Sequence, residues 1–343
     1  MSSGSVGTRV RAMPATREGT VQRTAVSIRD FQPEDYPALV EISNLLYPDN
    51  PTTVEEERFD DERFDRGKVF HRRLVAEDAS HGVVGSLSYG HMPWSFHPDR
   101  YAVWVGVHPR WQRRGIGGVL ATRLVDELRE RRATAVRMWV RESMTESVAW
   151  LGRRGVRELH RSWESRLDVP AFDASRFTEE ARVPDGIEVV TLKDELTEDP
   201  ERLRDVFEMD NVLSLDVPRV DPFTPPPFEM FRDFVVTGPR ALPEAFFLAK
   251  DGDRYVGVSN FERLEPLPDT LYTGFTGVRR ECRGRGIAMC LKLRAIEYAR
   301  RRGFRWIRTG NSTLNAPMLG INMKLGFVKE NIWIVMGKDL AGA

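Results

Sequence analysis

Thr276-Gly-Val-Arg-Arg-Glu-Cys-Arg-Gly-Arg-Gly-Ile-Ala288 runs from a β-prone segment through glycine and arginine into a long amphipathic stretch. It has the composition of a phosphate cradle. Glycine lets backbone approach a ligand with no Cβ in the way, and a helix N-terminus adds unpaired N–H groups with a partial positive charge. The same arrangement occurs earlier, as Val105-Gly-Val-His-Pro-Arg-Trp-Gln-Arg-Arg-Gly-Ile-Gly-Gly118. Gly286 lies 171 positions after Gly115, and Gly326 lies 171 positions after Gly155. One domain is written twice.

The chain of 343 residues accommodates two domains of about 150 residues each, large enough for separate cores. Lys plus Arg and Asp plus Glu are equal at 51 each, so the basic excess that favours nucleic acid or anionic membrane is absent. Arg300, Arg301, Arg302 and Arg305 form a local basic cluster, too small to shift that expectation. The two cysteines, Cys282 and Cys290, have no second Cys or His pair at zinc spacing, so no metal is expected. A reducing, cytoplasmic setting fits them. No apolar run approaches the roughly 18 residues of a membrane span.

The expected organisation is a flexible tail over 1–24, a first domain over 25–170, a linker over 171–185 and a second domain over 186–343. In the first domain, Val26 to Arg29 reads as a strand, and Leu39, Ile42 and Leu46 mark a helix opened by Pro33. Thr53 to Arg66 reads as an acidic helix, either a solvated face or a rim attracting a cationic acceptor. Strands over Phe70 to Ala76, Val83 to Tyr89 and Tyr101 to Val107 form a meander. A helix over 115–131, a strand over 135–141, a short helix ending at Gly155 and a closing strand over 156–169 complete it. The second domain repeats this order, with a proline-rich loop over 216–227 and a closing strand at Ile332 to Met336. Each domain is expected as a mostly antiparallel twisted sheet flanked by helices, an α+β or mixed α/β fold.

Gln112-Arg-Arg-Gly-Ile-Gly117 and Arg283-Gly-Arg-Gly-Ile-Ala288 both fit Gln or Arg, two residues, Gly, one residue, then Gly or Ala, set between strand and helix. With that signature twice at one offset, the chain resembles the Gcn5-related N-acetyltransferases (GNAT) in a tandem arrangement. A dinucleotide loop instead needs a third glycine, where Leu120 and Met289 stand. The resemblance implies acetyl-coenzyme A as cofactor. It places the pyrophosphate on Gln112, Arg113, Arg114, Gly115, Ile116, Gly117 and Gly118, and on Arg283, Gly284, Arg285, Gly286, Ile287 and Ala288. It places the pantetheine arm along Val105 and Val107, and along Phe275 and Val278.

After the strand at Trp306, Asn311, Asn315, Met318 and Asn322 precede Leu325-Gly-Phe327, similar to one version of the family's acceptor and thioester region. The resemblance puts Asn311 and Asn322 on the cofactor arm; Asn315 reads equally as a helix N-cap. The family often has a tyrosine acid four residues before that glycine, but here Asn322 and, in the first half, Leu151 stand there. Asparagine donates a hydrogen bond but not a proton. A thiolate, from a thiol of pKa about 8.5, leaves tolerably without one. The first half carries Ser143, Thr145 and Ser147 in place of the asparagines.

An attacking amine must lose a proton. Glu262, Glu265 and Asp269 are candidate bases; strand alternation counted from Ser259 makes Glu262 the first choice, with Asn322 as its catalytic companion. Tyr89, His91 and His97 are the first-half candidates. Trp94, Trp104, Trp111, Trp139 and Trp150 read as core, or as an aromatic acceptor pocket. Together these features predict an N-acetyltransferase acting by direct attack of a primary amine, small-molecule or peptide, in a monomer or homodimer. The alternative is a non-catalytic coenzyme A-binding or interaction module.

Overall fold

In a computed structural model of the chain, residues 25–66 and 69–340 are described; the expected tail over 1–24 lies outside them. The first half contains β1 (Ser27–Asp30), α1 (Tyr36–Leu46), α2 (Val54–Arg66), β2 (His71–Asp78), β3 (Gly82–Gly90), β4 (Arg100–Val107), α3 (Ile116–Glu130), β5 (Ala135–Arg141), α4 (Thr145–Gly152) and β6 (Arg157–Asp168). The second contains β7 (Ile187–Thr191), α5 (Leu192–Glu198), α6 (Arg202–Ser214), α7 (Phe228–Arg232), β8 (Phe246–Asp251), β9 (Arg254–Arg263), β10 (Thr270–Val278), α8 (Ile287–Arg301), β11 (Trp306–Ser312), α9 (Ala316–Lys324) and β12 (Val328–Asp339). α3 and α8, β5 and β11, and β6 and β12 each begin 171 residues apart.

Each half packs on the same stripe. Ile116, Leu120, Leu124 and Leu128 of α3 are buried against Leu87 and Val103, and Ile287, Leu291 and Ala295 of α8 against Phe247, Val256 and Ile307. Helical spacing puts such residues on one face. β8 shows the two-layer logic. Phe247 and Ala249 meet α8, while Phe246 and Leu248 meet α6 and α7 on the opposite face.

Instead of two separate sheets, the strands form one of 12, ordered β1-β2-β3-β4-β5-β12-β6-β11-β10-β9-β8-β7. The closing strands have changed places. β12 pairs with β5 of the first half from Trp333↔Arg141 to Asp339↔Ala135, and β6 pairs with β11 of the second from Trp306↔Asp168 to Ser312↔Ser162. β6 and β12 also pair with each other. A buried polar knot sits on this seam. Arg308 donates to Glu164 at 3.3 Å, and Asn331 Nδ2 donates to Asp49 Oδ2 at 2.7 Å and to Glu164 Oε2 at 3.1 Å. Arg141 pairs with Asp49 beneath Trp333, its guanidinium 4.9 Å from that ring.

The expected linker is more ordered than its composition suggests. Phe172 and Phe177 stack at 5.4 Å and enter the core under α8, while Glu180 pairs with Lys324 of α9 at 2.8 Å. The acidic helix is also partly buried: Glu56 of α2 meets Arg240 of the second half at 2.7 Å. Among the described residues no helix is long and apolar enough to cross a membrane, and no group of three or more His, Cys, Asp or Glu could hold a metal ion.

Ending the chain before Val328 removes the strand that covers both β5 and β6. That truncation is expected to abolish cooperative unfolding of both halves in urea followed by circular dichroism; a first half that melts as before would contradict the exchange.

Candidate functional site

The loop before α3 is closed by Gln112, whose Nε2 donates to the carbonyl of Val107, the last residue of β4, at 3.0 Å. Arg283 does the same work before α8, its Nε reaching the carbonyl of Val278 at 3.0 Å. This shared back-bond explains why glutamine and arginine interchange here: either carries an N–H far enough to pin the loop. Gly115 and Gly286 then start the helices at φ +89° and +84°, and a Cβ on either would meet nothing within 4 Å. The first-turn N–H groups lack helical acceptors. Each loop is therefore a concave donor surface suited to an anion.

The loops differ in their surroundings. Arg113 pairs with Glu146 at 2.7 Å and Arg114 lies 4.6 Å above Trp111. At the second loop, Arg280 and Arg283 both engage Asp216, whose carboxyl the Arg280 hydrogen bond helps hold down to about 2. Arg285 joins Asp251 at 3.2 Å and the Asp185 carbonyl at 2.8 Å.

From each loop a slit opens into the sheet. The β4–β5 ladder ends at Ala102↔Arg137 and the β10–β11 ladder at Thr273↔Thr309, so 103–107 and 274–278 have no partner on the slit side. The first slit widens into a cavity of about 540 Å³ whose lining includes Val105, Val107, Gln112, Gly115, Ile116, Gly117, Gly118, Ala121, Trp139 and Leu151. Its interior walls are largely apolar.

The second slit meets a cavity of about 370 Å³ where the halves join. Thr273 to Thr276, Gly310, Asn311, Asn315, Met318 and Lys292 form the second-half side; Trp94, Arg137, Trp139 and His160 come from the first half. The proline-rich loop supplies Val217 to Asp221 and is fastened by Asp221, which accepts from Arg100 at 3.0 Å and Arg137 at 2.9 Å. Cys282 and Cys290 are buried thiols away from this lining.

β10 bulges here: its register with β9 slips between Thr273↔Phe261 and Thr276↔Ser259, whereas β3 and β4 pair without a slip. Asn260 Oδ1 accepts from the N–H of Phe275 at 2.8 Å, so that donor is already engaged. Glu262 lies beside it. It shares a strand face with Asn260, not with Ser259, whose hydroxyl bonds Thr276 at 2.9 Å. Burial pushes the Glu262 carboxyl up to about 7 against the opposing pull of Arg240 and Arg63. Such a group takes a proton near neutrality.

Asn322 is buried behind the cavity and donates to Asn311 Oδ1 at 2.6 Å. Asn311 itself lines the cavity, with its Oδ1 engaged by Asn322. Asn315 caps α9, accepting from the N–H of Met318 at 3.3 Å, and also lines the cavity.

The other proposed bases are committed elsewhere. Glu265 is an exposed partner of Arg263 at 3.9 Å, and Asp269 bonds Thr270 at 2.9 Å. Tyr89 donates to buried Glu127 at 2.5 Å, His91 stacks on Tyr101, and His97 accepts from Asp99 N–H. Residue-by-residue reasoning did not name Lys292, Arg219, Asp221 or His160. Arg219 and Asp221 belong to the proline-rich loop over 216–227 that composition singles out, and Lys292 left a signal of its own, a charge between Leu291 and Leu293 on a buried helix.

Gly274 has a clear steric reason. A Cβ there would fall 2.4 Å from Glu262 Oε1 and 2.7 Å from Asn260 Nδ2, whereas one on Gly117 would meet nothing closer than 4.0 Å. Gly274→Ala should cost ~1–3 kcal/mol in urea denaturation, and Gly117→Ala should be neutral or stabilising. Equal stability of the two variants would show that Glu262 does not press on the bulge.

Comparison with known proteins agrees with this fold. A structure titled as a tandem GNAT protein from the clavulanic acid biosynthesis pathway has 20% identity and a TM-score of 0.71, the match covering 93% of this chain and 100% of that one. A GCN5-related N-acetyltransferase from Sphaerobacter thermophilus has 21% identity and a TM-score of 0.66, covering 92% and 95%. A putative acetyltransferase from Pyrococcus horikoshii, at 15% identity, has a TM-score of 0.55 with 96% and 92% covered. At these identities the likeness is one of fold. No curated protein matches the sequence. The profile of the acetyltransferase (GNAT) family matches twice, over residues 38–156 and 205–327, and the chain belongs to that family as a tandem two-domain member.

Proposed function

We propose that the chain is an N-acyltransferase moving an acetyl or other short acyl group from acetyl-coenzyme A to a primary amine, with the chemistry in the cavity of the second half. The observation that carries this reading is one of assembly. A bulged strand and an asparagine bonded by Asn322 line one cavity on a slit that begins at a glycine-arginine cradle, and a carboxyl raised to about 7 is buried directly behind the bulge at Gly274.

The fit to coenzyme A rests on the two cradles, where a Cβ on Gly115, Gly118, Gly284 or Gly286 would meet nothing within 4 Å. N–H groups of 113–118 and 284–288 are the proposed pyrophosphate donors, and the edge at Val105, with the N–H groups of Val107 and Val278 whose carbonyls Gln112 and Arg283 occupy, is the proposed partner of the pantetheine amides. Phe275 contributes its ring and carbonyl, its N–H being taken. When bound, acetyl-coenzyme A supplies an activated acyl carbon and a thiol leaving group.

The protein residues do the rest. Glu262, ionised above about pH 7, removes a proton from the acceptor ammonium and leaves a nucleophilic amine. Asn311, held by Asn322, offers N–H groups to charge growing on the acyl oxygen. Trp94, Trp139 and the loop over 217–221 narrow the access of water. The first half has Leu151 and Trp139 where the second has Asn322 and Gly310, which favours cofactor binding without chemistry there.

Glu262→Gln separates this role from a structural one. Turnover should fall about 10²–10⁴-fold, and the wild type should lose rate as pH drops below about 7. Stability moves the other way. Because the folded carboxyl titrates above its unfolded value of 4.5, the stability it permits is full below that value and is lost as pH rises through about 7. Glu262→Gln should therefore match wild type near pH 4 and exceed it at pH 8 by up to ~3 kcal/mol. Unchanged turnover would remove Glu262 from the mechanism. Calorimetry with acetyl-coenzyme A, then thiol release over an amine panel, tests the whole reading; binding with no turnover would favour the non-catalytic alternative.

A further inference from the structure

The chemistry above gives the attacking amine a base but the departing sulfur no acid, since Asn322 cannot deliver a proton. Lys292 stands at the second slit. It projects from α8, is 4% exposed, and lines the cavity beside Thr276, Gly310, Asn311, Asn315 and Met318. Among the described residues its ammonium has no carboxylate and no hydrogen-bond acceptor; its one charge-sensitive neighbour is the Phe327 ring, 5.5 Å away. A buried charge without a counter-ion is costly and marks a place where an anion is meant to arrive.

The other charged groups facing the cavity do not fill that role. Asp221 is held by Arg100 and Arg137, Arg219 donates to the backbone carbonyls of Ser214 and Trp94, and burial keeps the His160 imidazole biased toward neutral. The position 171 residues earlier is Ala121, in a slit without polar catalytic groups. The ammonium thus accompanies the asparagines and is absent where they are absent.

We infer that Lys292 is the catalytic acid of the second half, its ammonium receiving the negative charge of the departing coenzyme A thiolate and donating a proton to the sulfur. This inference rests on the acyl-transfer reading above. In the step, the amine nitrogen forms a bond to the acyl carbon and the carbon–sulfur bond breaks with its electron pair on sulfur. Glu262, having passed the ammonium proton to solvent before the attack, accepts the further proton that nitrogen loses on forming the amide, and Lys292 gives one to sulfur. The products are the amide and the free thiol, and solvent returns Lys292 and Glu262 to their starting states. Burial lowers the Lys292 ammonium to about 8, close to the usual thiol value of about 8.5, so the transfer is nearly matched.

The test combines turnover with an equilibrium measurement on the coenzyme A complex. Ionisation of the bound thiol is followed by thiolate ultraviolet absorbance in wild type, Lys292→Met and Lys292→Arg; differences between proteins cancel any cofactor held in the first half. Lys292→Met should shift thiol ionisation upward by about one pH unit or more, slow turnover by about 10²-fold and raise Tm by removing an uncompensated buried charge. Lys292→Arg should keep the low thiol value, as the charge remains, while turnover stays depressed because arginine holds its proton. Unchanged thiol ionisation in a folded Lys292→Met protein that binds coenzyme A would overturn the inference. So would a loss confined to carboxylate-bearing amines, which would make Lys292 an acceptor anchor, or faster turnover, which would make it an obstruction. Failure of wild type to bind coenzyme A would overturn the acyl-transfer reading itself.

Discussion

The exchange of closing strands between the halves is the constraint on which the rest depends. β12 completes the first sheet and β6 the second, so neither half has a finished edge without the other. Unpaired strand edges in this seam would leave buried N–H and C=O groups without partners. The polar knot of Arg308, Glu164, Asn331, Arg141 and Asp49 lies there because charged groups can be buried when each meets several partners. The fixed seam brings His160 and Ser162 of β6, and Val335 of β12, to the wall of the second cavity. The wall of that cavity is thus built by both halves.

On this shared frame the repeats have diverged at corresponding positions. Trp139 corresponds to Gly310, Leu151 to Asn322, Ala121 to Lys292 and, by strand register, Gly90 to Glu262, while Gly274 lies in a bulge that β4 lacks. Each change follows a physical logic. Gly274 admits the side chains of Asn260 and Glu262 at the bulge; Gly310 leaves room for the Tyr272 hydroxyl, which lies 2.7 Å from where a Cβ would sit. Apolar groups in the first half leave an open cleft, while the second half accumulates buried groups displaced toward neutrality. Such groups cost stability: Lys292 lines the second cavity, and Glu262 is buried behind Gly274 of its wall.

Much of this was legible from residues alone. The repeat, both loops and the element order follow from glycine placement and hydrophobic period, which are local properties. Strand exchange was not legible, because β6 and β12 are repeats of each other and nothing local says which sheet each will close. Alternation singled out Glu262, but the face it shares with Asn260, opposite to that of Ser259, and the packing of its carboxyl against Gly274 depend on the bulge in the neighbouring strand. The linker's polar composition hid Phe172 and Phe177. Lys292 was visible as a charge in an apolar stripe, yet its meaning depends on the slit opposite it, formed by strands far away in sequence. Asp221 depends on the proline-rich loop crossing to the other half.

The central claim is that the two cradles are alike while the second cavity alone performs acyl transfer. The most direct measurement is single-turnover acyl transfer with each cradle blocked in turn, by Gly115→Val or by Gly286→Val, at positions whose positive φ resists a branched side chain. Gly286→Val is expected to abolish the turnover, while Gly115→Val leaves it within a few-fold of wild type. Loss of the turnover in Gly115→Val with its survival in Gly286→Val would contradict the claim.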